Sequence, residues 1–224
     1  MDVSLENKET NKKGPSIFGI ITSPIAQFEK LMISTSIWKQ FLFIALLGGL
    51  AAALNAYIVQ TSPAMMKLAE SQSTGFKVPL SVTLGMSVVF GTLAVAVKFF
   101  VIAGIYKMIM LFMMNDTTYK KILSIVVYSG IFSIISVFVN SILSLFFGDS
   151  YQVNYTSLAP LFDIGTKMNA IAGSFELFSI WGLIITGLGL HIVAGLTKKQ
   201  SIILVIILFI VTVILGTFPV FLMK

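Results

Sequence analysis

Apolar runs of 18 or more residues recur along this chain, as in WKQFLFIALLGGLAAALNAYIV and SIILVIILFIVTVILGTFPVFL. Each is long enough to cross a hydrocarbon core about 30 Å thick as a helix, which needs about 20 predominantly apolar residues. A backbone in lipid must satisfy its own polar groups, so only helices and closed barrels can span. Barrel strands would show short segments of alternating polarity, and no such alternation is present. The runs therefore predict an all-α integral membrane protein. Composition agrees: 57% of the residues are hydrophobic and 11% charged, where soluble domains have about 45–50% and about 25%.

Five spans are predicted: about Trp38 to Val59, one within Pro79–Met114, about Ile122 to Phe147, Phe175 to Leu196, and Ser201 to Leu222. The second is overlong. A straight helix over it would measure about 54 Å at about 1.5 Å per residue, so it must tilt, break near Ala103-Gly104 or project beyond the bilayer. Residues 1–14 are polar and read as a disordered cytosolic tail, and no apolar core of a signal peptide follows their charges. Residues 15–36 form a juxtamembrane segment, and 37–224 the membrane domain. In that segment Ser23 before Pro24 reads as an N-cap. Ile25, Phe28, Leu31 and Met32 share a face, with Gln27, Glu29 and Lys30 turned away, which predicts an amphipathic helix. It lies on the membrane or packs beneath the bundle.

The chain has no cysteine, one histidine and no arginine. Disulfides and thiolate or His-rich metal sites are excluded, and guanidinium forks for phosphate or carboxylate are missing. Nucleic acid has no basis as a partner, and the net charge of +6 is carried by lysines flanking the spans. Lys8, Lys12, Lys13, Lys30, Lys39, Lys120, Lys121, Lys198 and Lys199 fall on one side. Lys67, Lys77, Lys167 and Lys224 fall on the other. That imbalance puts the N-terminus in the cytosol and, with five spans, the C-terminus outside.

Several polar residues lie inside the apolar runs. Glu176 and His191 are about 22 Å apart along a helix and cannot meet; the first stands at a span edge within reach of water. Between them Ser179, Gly182, Thr186 and Gly189 make a small-residue face that lets another helix approach closely. Ser129, Ser133, Ser136, Asn140 and Ser144 share a face of the third span. They fit either cross-helix hydrogen bonds of about 0.6–2 kcal/mol each or a hydrated pathway. Asn55, beside Ala45, Gly48, Ala52 and Ala56, has the same two readings. Lys98 has no acid within the interior of any span to pair with. It would cost about 2.5–3.5 kcal/mol at mid-bilayer unless it snorkels or lies shallow. Metalloprotease, nucleophile-elbow and phosphate-loop motifs are absent, as are paired intramembrane aspartates. Asn154-Tyr155-Thr156 fits a glycosylation sequon, a short pattern that occurs by chance. No catalytic residue, metal ligand or cofactor is expected.

Four segments carry a family resemblance. IITSPIAQFEKLM is a Pro-then-Phe lead-in. Thr117-Thr118-Tyr119-Lys120-Lys121-Ile122-Leu123-Ser124, followed by Val127-Tyr128-Ser129, is a short loop opening the third span. Phe175-Glu176-Leu177-Phe178-Ser179-Ile180-Trp181 opens the fourth, and Lys198-Lys199-Gln200-Ser201 makes a basic hairpin into the fifth. Together they resemble the bacterial branch of the Yip-domain membrane family (Ypt/Rab-interacting proteins). Two departures stand out: the family usually has aspartate where Glu176 stands, and often a proline where Thr35-Ser36-Ile37 stands. The resemblance implies a five-span bundle with its N-terminus inside and no catalytic activity. Eukaryotic relatives are associated with small GTPases and vesicle traffic. Bacterial ones look like accessory, assembly or regulatory partners of other membrane complexes, an ABC-type exporter among them. The all-lysine usage fits a low-GC bacterium and its cytoplasmic membrane. Expected partners are membrane lipids, a membrane-protein complex and a second copy of the chain. The competing expectation is a small transporter or channel using the Ser/Asn face with Lys98 and His191.

Overall fold

The computed structural model describes residues 14–33, 37–63, 66, 78–147 and 153–222. Residues 1–13 of the expected tail, Thr35-Ser36, Lys67, Lys77 and Lys224 lie outside these residues. Two short helices come first, α1 (Ile17–Thr22) and α2 (Pro24–Ile33). Ser16 caps α1 by accepting from the Gly19 amide at 3.3 Å. Ser23 does not cap α2 with its hydroxyl, as the sequence predicts. It donates back to the Gly19 carbonyl at 3.3 Å, and Pro24, whose missing N–H costs nothing at a first helical position, begins α2.

The amphipathic face of α2 also differs from expectation. Phe28 and Leu31 are buried, together with Ile20 of α1, whereas Ile25, Met32 and Ile33 are exposed. Gln27 points inward, where its Oε1 accepts from the Ser16 amide at 2.8 Å. A side chain that satisfies a backbone donor 11 residues away gains more from burial than from water. The pair α1–α2 therefore packs against α5 and α7 while still presenting apolar side chains outward.

Among the described residues four helices are long and apolar enough to cross a membrane: α3 (Trp38–Thr61), α4 (Leu80–Phe112), α5 (Tyr119–Phe147) and α8 (Lys198–Leu222). Between them come a short 3-10 turn (Ala159–Leu161), α6 (Lys167–Gly173) and α7 (Leu177–Ile192). At 16 residues, about 24 Å, α7 is shorter than the predicted fourth span. Glu176 caps its start, and a turn through Gly195, at φ +71°, ends it. Helix α8 begins at Lys198, three residues before the predicted start, because Thr197 and Gln200 form a reciprocal cap. The Gln200 amide donates to Thr197 Oγ1 at 3.2 Å, and the Thr197 amide to Gln200 Oε1 at 2.9 Å.

Helix α4 runs unbroken through Ala103-Gly104 for 33 residues, about 50 Å. Of the three ways to house that length, a break is therefore ruled out. Its last turns bury Tyr106 and Met110, and Lys107 Nζ donates to the Thr117 carbonyl at 2.8 Å. Asn115 Nδ2 and Thr117 Oγ1 both donate to the Ala194 carbonyl, at 3.0 and 2.8 Å. The two short Lys-containing connections are thus joined at one end of the bundle.

Small residues set the closest packing. A Cβ at Gly91 of α4 would lie 2.6 Å from Ala52 Cβ of α3, and one at Gly48 2.6 Å from Val95 Cγ2. Helix α5 is the central element, packing against α3, α4 and α7, with Ile122, Ile125, Val127 and Tyr128 fully buried. Helix α8 packs on α7 and α6. Helices α4 and α8 make no substantial contact with each other among the described residues.

Candidate functional site

The gap between α4 and α8 is a half-open cleft of about 570 Å³ with a floor formed by α5 and α7. Lys98 lines it from α4, Ser129, Ser133 and Ser136 from α5, and Ser179, Gly182 and Thr186 from α7. Three sets of residues that the sequence offers separately therefore meet at one site. The register between α4 and α5 brings them together, since Gly130 leaves room for the Phe99 ring next to Lys98.

The hydroxyls do not make the cross-helix bonds considered above. Ser129 Oγ donates to its own helix at Ile125 O (2.8 Å), Thr186 Oγ1 to Gly182 O (2.8 Å), and Ser144 Oγ to Asn140 O (2.9 Å). Thr212 of α8, also in the cleft, donates to Leu208 O at 2.8 Å. A Ser or Thr in a helix already has the i−4 carbonyl within reach, so no neighbouring helix is needed. The close approach of α7 to α5 comes instead from Gly189, where a Cβ would lie 2.6 Å from Ile125 Cγ2, and from Gly182, where it would lie 3.4 Å from Phe132 Cβ. Gly189 serves a second neighbour as well, making room for Phe28 of the N-terminal α2. Asn55 is exposed and has no hydrogen bond among the described residues.

Lys98 is exposed along the cleft, and its amine has no partner among the described residues. Its depth follows from ring contacts. The adjacent Phe99 and Phe100 meet Phe41 at 6.1 and 5.3 Å between centroids, and Phe41 is one turn from Trp38, the first residue of α3. Tryptophan concentrates at membrane interfaces, so Lys98 lies shallow, within about two turns of the end of α3.

Glu176 does not reach water as the sequence predicts; it is 2% exposed. It precedes α7, outside the helix, and works as its N-cap. Oε1 accepts from the Phe178 amide at 3.0 Å and Oε2 from the Ser179 amide at 2.6 Å. A carboxylate there satisfies orphan donors and complements the helix dipole. Thr156, which the sequence analysis treats only as part of a sequon, completes the arrangement. Its hydroxyl donates to Glu176 Oε1 at 2.7 Å and accepts from Asn140 Nδ2 at 2.7 Å. The Thr156 amide donates to Asn140 Oδ1 at 3.1 Å, and its carbonyl accepts from the Leu177 amide at 3.0 Å. Asn140 is thus the one member of the α5 polar face that reaches out of its helix. Burial pushes the Glu176 carboxyl up, but the hydrogen bonds from Thr156, Ser179 and Phe178 outweigh it and hold the group below its ordinary value.

His191 stands at the other end of α7, outside the cleft lining. Its Nδ1 is 2.7 Å from the Leu196 carbonyl. A carbonyl only accepts, so this nitrogen carries the proton, and the ring closes the Gly195 turn.

A family model described as the Yip1 domain matches residues 18–218. The chain belongs to the Yip1 domain family. It is also 30% identical over 225 residues to "Membrane protein YknW" of Bacillus subtilis (strain 168), covering 97% of this chain and 96% of that one. No solved structure matches it. The Yip1 match takes in α1 and α2 as well as the long helices, so the N-terminal pair that buries Phe28 against Gly189 belongs to the shared Yip1 unit.

Proposed function

We propose that this Yip1-domain protein is a non-enzymatic accessory subunit that binds and assembles or regulates a partner complex in a bacterial cytoplasmic membrane. An ABC-type exporter is the partner that the family resemblance favours. In this reading α7 is the fourth of five spans, and the N-terminus and both short Lys-containing loops are cytosolic. One observation carries it: apart from Lys98, the ionisable groups singled out from the sequence are engaged in holding the fold. Glu176 starts α7 and His191 closes its last turn, and the uncharged Asn140 amide likewise holds Thr156. Neither a reaction nor conduction is served by groups so engaged. Purification from mild detergent should recover a partner complex in defined stoichiometry; a protein that elutes alone and restores function alone in liposomes refutes the proposal.

The cleft favours a second reading, a small transporter, because it gathers Lys98 with the Ser129–Ser133–Ser136 face. Against a through path, the end of the cleft beyond Ile105 meets Tyr106, which is 5% exposed. Solute flux in liposomes that Lys98→Ala abolishes without loss of folding would decide for transport.

A further inference from the structure

The cleft is long enough for an extended lipid chain. Along α5 its floor extends from Val126 to Ser136, ten residues or about 15 Å. With a volume of about 570 Å³, it has room for a chain of methylenes, about 4 Å across at van der Waals contact.

The lining has the chemistry for such a chain with a charged end. Ser129, Thr186 and Thr212 turn their hydroxyl protons onto their own helices, so they present little polarity. Phe99 and Leu208 add hydrocarbon. The unpaired Lys98 amine lies within about two turns of the interface marked by Trp38, and a lysine stem can carry its charge toward the headgroups. A lone ammonium beside lipid is costly, and an anionic oxygen there removes that cost through charge-assisted hydrogen bonds.

We propose that the cleft between α4 and α8 holds one anionic lipid of the surrounding bilayer, with its phosphate on Lys98 and one acyl chain along the Ser129–Ser133–Ser136 floor. This goes beyond the accessory role and does not depend on it. The test is native mass spectrometry of the full-length protein, released from mild detergent and titrated with phosphatidylglycerol or phosphatidylcholine. The expected result is one tightly bound phosphatidylglycerol per chain, preferred at least about tenfold, the low end for a charge-assisted hydrogen bond. Lys98→Gln should abolish the preference and Lys98→Arg retain it.

Equal binding of the two lipids, or a preference unchanged in Lys98→Gln, overturns the proposal. So does displacement of the lipid by inorganic phosphate at matched concentration, which would mark a soluble-anion site. So too does a Lys98→Gln variant that keeps its lipid but loses a co-purifying partner. Where Lys98→Gln fails to fold, Ser133→Leu decides, because it fills the cleft without touching the amine. Loss of the bound phosphatidylglycerol then supports the lipid, and its retention overturns it.

Discussion

Replacing Glu176 by alanine removes three interactions at once. The Phe178 and Ser179 amides lose the side chain that caps them, and the Thr156 hydroxyl loses its acceptor. Losing an N-cap costs about 1 kcal/mol. Leaving a buried donor without a partner costs about 1–3 kcal/mol, and Glu176 is 2% exposed, so water does not replace it. Thr156 recovers part of this by turning to Asn154 Oδ1, already 3.2 Å away. The net expectation is about 2–4 kcal/mol, or a fall in Tm of roughly 6–12 °C for a chain of this size. Glu176→Asp, which installs the residue usual in the family, still caps the helix, since aspartate is among the best caps. It withdraws about 1.5 Å from Thr156 and loses about 1 kcal/mol. Thermal unfolding in detergent, followed by circular dichroism, should order the proteins wild type, then Asp, then Ala. An alanine variant melting within about 2 °C of wild type would refute the reasoning, as would an aspartate variant as damaged as alanine.

The same carboxyl has a defined pH signature. Its folded pKa is depressed below its ordinary value of 4.5, so its stabilisation is complete above that value and is lost as pH falls through the folded pKa. The Tm advantage of wild type over Glu176→Gln should be level from neutrality down to about pH 5 and shrink below about 4.5. A gap that widens on acidification would show that the neutral carboxyl is the stabilising form.

Two further expectations concern packing and topology. Gly91→Ala places a Cβ 2.6 Å from Ala52 Cβ and 3.2 Å from Gly49 Cα and should destabilise by about 1–3 kcal/mol. Gly104→Ala on the same helix meets nothing within 4 Å and should stabilise by up to about 1 kcal/mol; equal Tm shifts would contradict the packing account. The chain has no cysteine, so single cysteines report topology cleanly. A membrane-impermeant maleimide on intact cells should label Asp163→Cys, while Lys120→Cys and Lys199→Cys should react only after lysis. Labelling of Lys199→Cys together with Asp163→Cys would mean that α7 does not cross.

How much of this was legible in the sequence depends on whether the deciding contact is local. The long helices were, because run length alone determines whether a helix can span. The start of α8 was legible in principle: Thr197-x-x-Gln200 is a capping-box pattern three residues ahead of the assigned boundary. The inward turn of Gln27 was not, because its partner is the Ser16 amide in a separate helix. The α5 serines were recognised as one face, but amphipathic spacing cannot tell a hydroxyl that reaches across helices from one that folds back on its own i−4 carbonyl. The cleft was least legible. Lys98 and Ser129 become neighbours only through the register of α4 on α5, which a glycine at position 130 adjusts to the width of a phenyl ring. Glu176 shows why a lone acid in an apolar run misleads. Its charge looks like a reagent in one dimension, and in three dimensions two amides and a hydroxyl consume it before any substrate could. For an acid at the edge of an apolar run the first question is therefore whether a helix begins one residue later, because a carboxylate there already has its donors.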